Sequence, residues 1–207
     1  MERESFETLC TNHKDTLEKI RSVAHQLHEN VNQYYDDDKP YSYHLDMVAK
    51  EVYTYGHHVL VREEDFLPLF MGAWFHDSIE DARVSYNDVK KIGMKLGLTE
   101  EQTFLAAEIV YALTNEKGRN RKERAGKRYY EGIRNTPYAP FVKMCDRSAN
   151  IRYSCGCYNS RNLRMAKLYE DEMPNFTRSI TVDSDDLRFL FPKVMEEEVW
   201  GVMAIGI

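Results

Sequence analysis

Apolar positions recur along this chain with the period of a helix. Leu17, Ile20, Ala24, Leu27 and Val31 are spaced 3, 4, 3 and 4 residues apart, which puts them on one helix face. The run Asp36-Asp37-Asp38-Lys39-Pro40 breaks that helix. A second helix is predicted from Tyr43 to Gly56, with Val48, Ala49 and Val52 inward and His44 in its first turn. Phe66–Phe75 is apolar at nearly every position, which predicts a central helix buried on all sides. Ser85-Tyr86-Asn87-Asp88 reads as a capping box that opens a fourth helix, and Gly97 closes it. Thr99-Glu100-Glu101-Gln102 is a second capping box, leading into a helix with Phe104, Leu105, Ile109, Val110 and Leu113. Later helices are predicted from Pro140 to about Tyr153 and from Asn159 to Met173, before Pro174. From Ser184 the pattern is helical again, interrupted at Pro192. No stretch alternates as a strand does, so the expected fold class is all-α, a helical bundle.

The 207 residues suit one domain, with a core at about 16–173 and a C-terminal helical extension over 175–207. The apolar fraction of 43% and charged fraction of 30% describe a soluble globular chain. A net charge of −6 argues against a general nucleic-acid binder. No run approaches the roughly 18 apolar residues of a membrane span, and Met1-Glu2-Arg3-Glu4 does not open a signal peptide. Cys10, Cys145, Cys155 and Cys157 provide no second pair to complete a zinc knuckle, so free thiols in a cytoplasmic protein are expected.

Candidate chemistry starts at His76-Asp77-Ser78-Ile79-Glu80-Asp81. Two metal-binding side chains follow directly on the apolar run, and two carboxylates lie a helical turn beyond. Asp146 and Asn150, spaced i and i+4 on an apolar helix, share one face, and a buried aspartate needs a partner. That partner is a metal or one of Arg147 and Arg152. His44, His76, Asp77 and Asp146 together offer two nitrogens and two oxygens from three helices. That donor set suits one divalent ion, Mn²⁺, Fe²⁺ or Zn²⁺. Residues 116–134 carry eight basic residues against three acidic ones, a composition that suits phosphate as well as it suits a solvated helix.

The pattern His…His-Asp…Asp resembles the HD phosphohydrolases. Within them, three segments resemble the alarmone hydrolases, the Rel/SpoT hydrolase domains and their small stand-alone relatives. Lys39-Pro40-Tyr41-Ser42-Tyr43-His44 with Val48-Ala49 is similar to their Pro-Tyr-x-x-His…Val-Ala. His76-Asp77-Ser78-Ile79-Glu80-Asp81 is similar to their His-Asp-x-x-Glu-Asp. Lys143-Met144-Cys145-Asp146-Arg147-Ser148-Ala149-Asn150-Ile151-Arg152 is similar to their Lys-Leu-Ala-Asp-Arg-x-x-Asn-x-Arg. The three segments span residues 39–152 in order.

The resemblance implies an HD-domain bundle with one metal site at its centre, usually holding Mn²⁺. His44, His76, Asp77 and Asp146 match the metal ligands. Glu80 and Asp81 match the pair that positions and deprotonates the attacking water, and Asn150 matches a residue that holds the nucleotide. Arg121, Lys122 and Arg124 correspond to a Glu/Arg/Lys cluster after a Thr-Asp/Asn, here Thr114-Asn115. HD enzymes with two metals need further histidines, and no histidine follows His76, so a mononuclear site is expected. Two positions depart from the pattern. An arginine that stacks on guanine is replaced by Tyr35, and a small hydroxyl residue by Tyr153. Both fall on the nucleobase side. The implied function is a (p)ppGpp 3′-pyrophosphohydrolase giving GDP or GTP and pyrophosphate. The alternatives are a phosphohydrolase for a dNTP, a nucleoside monophosphate or NADPH, and a non-catalytic nucleotide-binding protein. The implied partner is a nucleotide substrate, with no stable nucleic acid and no membrane; a homo-oligomer is compatible with the sequence.

Overall fold

The computed structural model describes residues 1–116, 121–157 and 159–206; for residues 121 and 122 it describes the backbone alone. Twelve α-helices are present among these residues: α1 (Arg3–Asn12), α2 (Lys14–Glu29), α3 (Ser42–Tyr55), α4 (Phe66–Phe75), α5 (Ser78–Asp81), α6 (Tyr86–Lys95), α7 (Glu100–Leu113), α8 (Arg121–Arg124), α9 (Lys127–Arg134), α10 (Ala139–Gly156), α11 (Ser160–Ile180) and α12 (Lys193–Gly206). The all-α expectation holds. Both predicted capping boxes form, at Ser85 with Asp88 and at Thr99 with Gln102. Gly97 follows α6 with φ of 90°, a left-handed geometry that only glycine adopts without strain.

Helix α4 is the axis of the core. All ten of its residues are buried, and α2, α3, α7 and α10 pack around it. An apolar helix has no solvent face to offer, so it must be enclosed on every side. Gly72 permits the closest of these approaches. A Cβ added there would stand 2.6 Å from Ile109 Cγ2 on α7. Helix α10 lies beside α4 and is covered in turn by α3, α11 and α12. Its start is held by Tyr138, whose φ is 65° and whose hydroxyl donates to Asp65 Oδ2 at 2.8 Å. Pro140 then occupies the first turn, where no amide hydrogen is needed.

Four expectations are corrected. Helix α2 ends at Glu29, so Val31 lies beyond it, and Leu27 is only half-buried. The inward face is Leu17, Ile20, Ala24 and His28, with an imidazole where the pattern suggested an aliphatic. The segment after α2 is a small antiparallel hairpin, β1 (Tyr34–Asp36) with β2 (Lys39–Pro40), pairing Tyr34 with Pro40 and Asp36 with Lys39. Its strands are too short to show alternation. Helix α11 runs through Pro174 to Ile180, because Met173, Phe176 and Ile180 are buried on both sides of the proline and packing carries the helix past the missing hydrogen bond. Phe104 faces outward, 51% exposed, beneath Lys90 Nζ at 5.7 Å.

The extension 175–207 is tied to α10 by more than apolar contact. Met195, Val199 and Met203 of α12 are buried. Arg152 of α10 contacts Glu51 Oε1 at 3.0 Å and Glu198 Oε2 at 3.4 Å, and Tyr55 donates its hydroxyl to Glu198. Ser148 donates to the other oxygen of Glu51 at 2.9 Å.

Gly72→Ala should destabilise the fold by about 1–3 kcal/mol through overpacking against Ile109. In that background Ile109→Ala should cost less than it does alone, which thermal denaturation of the two single variants and the double variant would measure.

Candidate metal centre

Helix α4 ends at Phe75, and the chain turns there before α5 begins. His76 and Asp77 fill that turn, so they inherit the burial of the apolar helix before them. His44 enters from the first turn of α3 and Asp146 from the middle of α10. His44 and His76 are 2% and 1% exposed. Their Nε2 atoms are 3.3 Å apart. Asp77 Oδ2 lies 2.9 Å from His76 Nε2 and 3.8 Å from His44 Nε2. Asp146 Oδ1 lies 3.3 Å from His44 Nε2 and 3.9 Å from His76 Nε2. The donor atoms of His44, His76 and Asp77 therefore face one another, and Asp146 Oδ1 flanks the two imidazoles. An ion bonded at roughly 2.1 Å sets neighbouring ligand atoms about 3 Å apart, close to these spacings.

Among the described residues, His44, His76 and Asp77 are the one group of three or more metal-ligating side chains whose donor atoms all lie within 4.8 Å of one another. Asp146 joins them through the two imidazoles. The tautomer of His76 suits a ligand. Its Nδ1 faces the Ala73 carbonyl at 2.8 Å and must carry the hydrogen there, so Nε2 is the atom directed at the centre, where a cation would take the place of a proton. His44 Nδ1 is buried and has no partner among the described residues, so Nε2 is the atom of that ring engaged with other groups.

The electrostatics point the same way. Burial alone would lower the pKa of His76, but the charges of Asp77 and Asp146 and the bond to Asp77 outweigh it and raise His76 to about 9. Burial opposes ionisation of Asp77, yet the charge and hydrogen bond of His76 hold its carboxyl well below the usual range. For Asp146, burial is likewise outweighed, by Lys143 and the imidazoles. A field that holds a proton this firmly also favours a divalent cation at the same spot.

Each acid is braced from outside. Tyr41 donates its hydroxyl to Asp77 Oδ2 at 2.5 Å. Lys143 donates to Asp146 Oδ2 at 2.9 Å, and Asn150 Nδ2 donates to Asp146 Oδ1 at 2.6 Å. Tyr41 and Lys143 stand in the sequence segments already singled out, but sequence reading assigned them no role. The i, i+3 spacing of Lys143 and Asp146 was the available signal.

Glu80 and Asp81 both sit on α5, and they face different neighbours. Glu80 accepts from Asn115 Nδ2 at 2.9 and 3.1 Å and from the Asn115 amide at 3.2 Å, and Arg124 NH1 approaches at 3.7 Å. Asp81 accepts at Oδ2 from Gln33 Nε2 at 2.8 Å, and burial raises its pKa. Glu80, Arg124, Lys143, Tyr130 and Asn175 are among the residues lining a cleft of about 810 Å³. A larger depression, about 970 Å³, is lined by Arg62, Thr99 and Phe104 and shares no residue with this site.

Tyr35, Asn150 and Tyr153 come together on the hairpin side of the centre. The Tyr35 ring stacks on His44 with centroids 4.9 Å apart and planes 8° from parallel, and its hydroxyl donates to Asn150 Oδ1 at 2.8 Å. Tyr153 meets Tyr35 edge-on at 4.9 Å and donates to Asp36 Oδ2 at 2.6 Å. One face of Tyr35 and its hydroxyl are therefore already engaged. Of the three basic candidates, Arg124 is near Glu80, while the side chains of Arg121 and Lys122 lie outside the described residues. The basic residues Lys117 and Arg119 lie outside them as well.

No family model matches this chain, and no curated protein matches it. Among solved structures, it is similar to a metazoan ortholog of SpoT that hydrolyzes ppGpp and plays a role in starvation responses. The TM-score is 0.59 at 18% identity, over 90% of this chain and 94% of that one. The two share a fold, and it is the helical fold expected from the three sequence segments. No helix among the described residues is long and apolar enough to cross a membrane.

His44→Ala or Asp146→Ala should abolish retention of a divalent metal through gel filtration. Tyr41→Phe should bind it roughly 10- to 100-fold more weakly, the usual cost of losing a partner behind a ligand. Metal analysis and Mn²⁺ titration would distinguish the two classes.

Proposed function

We propose that this chain is a divalent-metal-dependent phosphohydrolase that removes the 3′-pyrophosphate of (p)ppGpp, leaving GDP or GTP. The observation that supports it most is the convergence of His44, His76, Asp77 and Asp146 with two carboxylates one helical turn beyond, on a fold shared with a protein that hydrolyzes ppGpp. His44, His76, Asp77 and Asp146 would hold the metal, Mn²⁺ in first place, with Fe²⁺ or Zn²⁺ as alternatives. When bound, a divalent cation supplies charge neutralisation at the phosphoryl oxygens and lowers the pKa of the attacking water.

The protein's own groups divide the remaining work. Both oxygens of Glu80 receive hydrogen bonds from Asn115, so Glu80 is oriented as a positioning carboxylate. Asp81 has Oδ2 engaged by Gln33, and Oδ1 is the oxygen left to take a proton from water. The water oxygen bonds to the phosphorus attached to the ribose 3′-oxygen, and that P–O bond breaks. The 3′-oxygen gains a proton, and pyrophosphate departs with the new oxygen. Lys143 and Arg124, which line the same cleft as Glu80, suit the leaving pyrophosphate. The nucleotide would contact Asn150, Tyr35 and Tyr153 on the other side, with Arg121 and Lys122 as further phosphate ligands.

A second reading keeps the same chemistry and changes the nucleotide. Its support is the hairpin side of the site, where Tyr35 rests on His44 and Asn150 and where the acid Asp36 lies beside Tyr153. A dNTP, a nucleoside monophosphate or NADPH then becomes the substrate. Purified protein with Mn²⁺ should release pyrophosphate and GDP from ppGpp, read by anion-exchange separation of products. Turnover of another nucleotide with ppGpp untouched would replace the substrate and keep the mechanism. Absence of turnover of any of them, with metal bound, would favour the binding-only protein. Glu80→Gln should keep metal and lower kcat by roughly 100-fold or more, and parental activity in that variant would remove Glu80 from the mechanism.

A further inference from the structure

His28 is 1% exposed and lies on the inward face of α2, where the apolar pattern has no need of an imidazole. It is part of a chain of contacts that ends on Asp81. His28 Nδ1 is 2.6 Å from Gln33 Oε1, and Gln33 Nε2 is 2.8 Å from Asp81 Oδ2. The polarity of that chain follows from its far end. An ionised Asp81 carboxylate only accepts, so the amide nitrogen of Gln33 must face it. The amide oxygen then faces His28, and Nδ1 must carry the hydrogen. Burial lowers the pKa of His28, which favours a neutral ring with its one hydrogen on Nδ1. Its Nε2 is buried without a partner among the described residues, so the ring's one side-chain hydrogen bond is spent on Gln33.

The backbone holds the same geometry. The Gln33 amide donates to the His28 carbonyl at 3.2 Å, and the Gln33 carbonyl accepts from the Tyr41 amide at 3.2 Å. The His28 ring also stacks on Tyr41, with centroids 4.7 Å apart and planes 14° from parallel, and Tyr41 is the residue that donates to Asp77. One buried imidazole thus stands behind two acids: Asp77 through a stacked ring, and Asp81 through an amide.

We infer that His28 and Gln33 are positioning residues for Asp81, fixing its Oδ2 so that Oδ1 alone is presented to the attacking water. This rests on the reading of Asp81 as the proton acceptor. A carboxylate held at one oxygen loses its freedom to rotate about the Cβ–Cγ bond. Its remaining oxygen then spends more of its time in line for proton transfer.

The test uses the full chain with Mn²⁺ and two substrates, ppGpp and bis(p-nitrophenyl) phosphate, the second having no base to recognise. Gln33→Ala and the equally sized Gln33→Glu should each lower kcat about 10- to 100-fold, leaving KM, bound metal and Tm as in the parent. His28→Asn, which keeps an N–H near the place of Nδ1, should retain most of the rate, and His28→Leu should behave as Gln33→Ala does. Gln33→Ala should add nothing in an Asp81→Asn background, because the residue it positions is already disabled. Parental rates in both Gln33 variants, or a further loss on top of Asp81→Asn, would overturn the inference while Asp81 stands as the base. A parent inactive on both substrates, or an Asp81→Asn variant as fast as the parent, would overturn the hydrolytic reading itself and the inference with it.

Discussion

Two carboxylates and two imidazoles directed at one buried point constrain everything around them. Acids so placed need positive charge close at hand, and two imidazoles 3.3 Å apart cannot both present a hydrogen to the same space. The protein meets this from several sides. Lys143 and Asn150 hold Asp146, and Tyr41 holds Asp77. His76 gives its Nδ1 hydrogen to the Ala73 carbonyl, so Nε2 is the atom turned inward. A divalent cation is the species that would satisfy the donor atoms gathered around the two imidazoles.

Rigidity of that point comes from helices far apart in sequence. Helix α4 brings His76 and Asp77 into the interior because it is apolar all round, and Gly72 lets α7 close over it. Helix α10 brings Asp146, Lys143 and Asn150 on consecutive turns of one face. Its opposite side is fastened by Ser148 and Arg152 to Glu51 of α3, and by Arg152 to Glu198 of α12. The C-terminal extension is thus part of the frame that sets where Asp146 stands.

The two sides of the centre differ in character. On one side Glu80, Arg124 and Lys143 border an open cleft. On the other, the hairpin packs Tyr35 onto His44 and brings the acid Asp36 to Tyr153. Departures from the alarmone-hydrolase pattern at Tyr35 and Tyr153 cluster on this second side. In the proposed hydrolase, substrate discrimination and hydrolytic chemistry would be carried by separate groups of residues.

The helices and the two capping boxes could be read from sequence because each depends on residues within a turn or two of one another. Periodicity placed α3, α4 and α7 closely, and the run before His76 announced a buried end. Other features follow from long-range contact. The hairpin has strands too short to show alternation. Pro174 sits inside α11 because burial on both sides outweighs a lost hydrogen bond. His28 fills an aliphatic position because Gln33 and Tyr41 fold back onto it. The hydroxyl of Tyr35 meets Asn150 across 115 residues, a contact no local pattern encodes. What the sequence determined alone is the set of chemical groups and the helices that carry them. The tertiary structure decided which atom of each group remains open, because that depends on partners brought together only by packing.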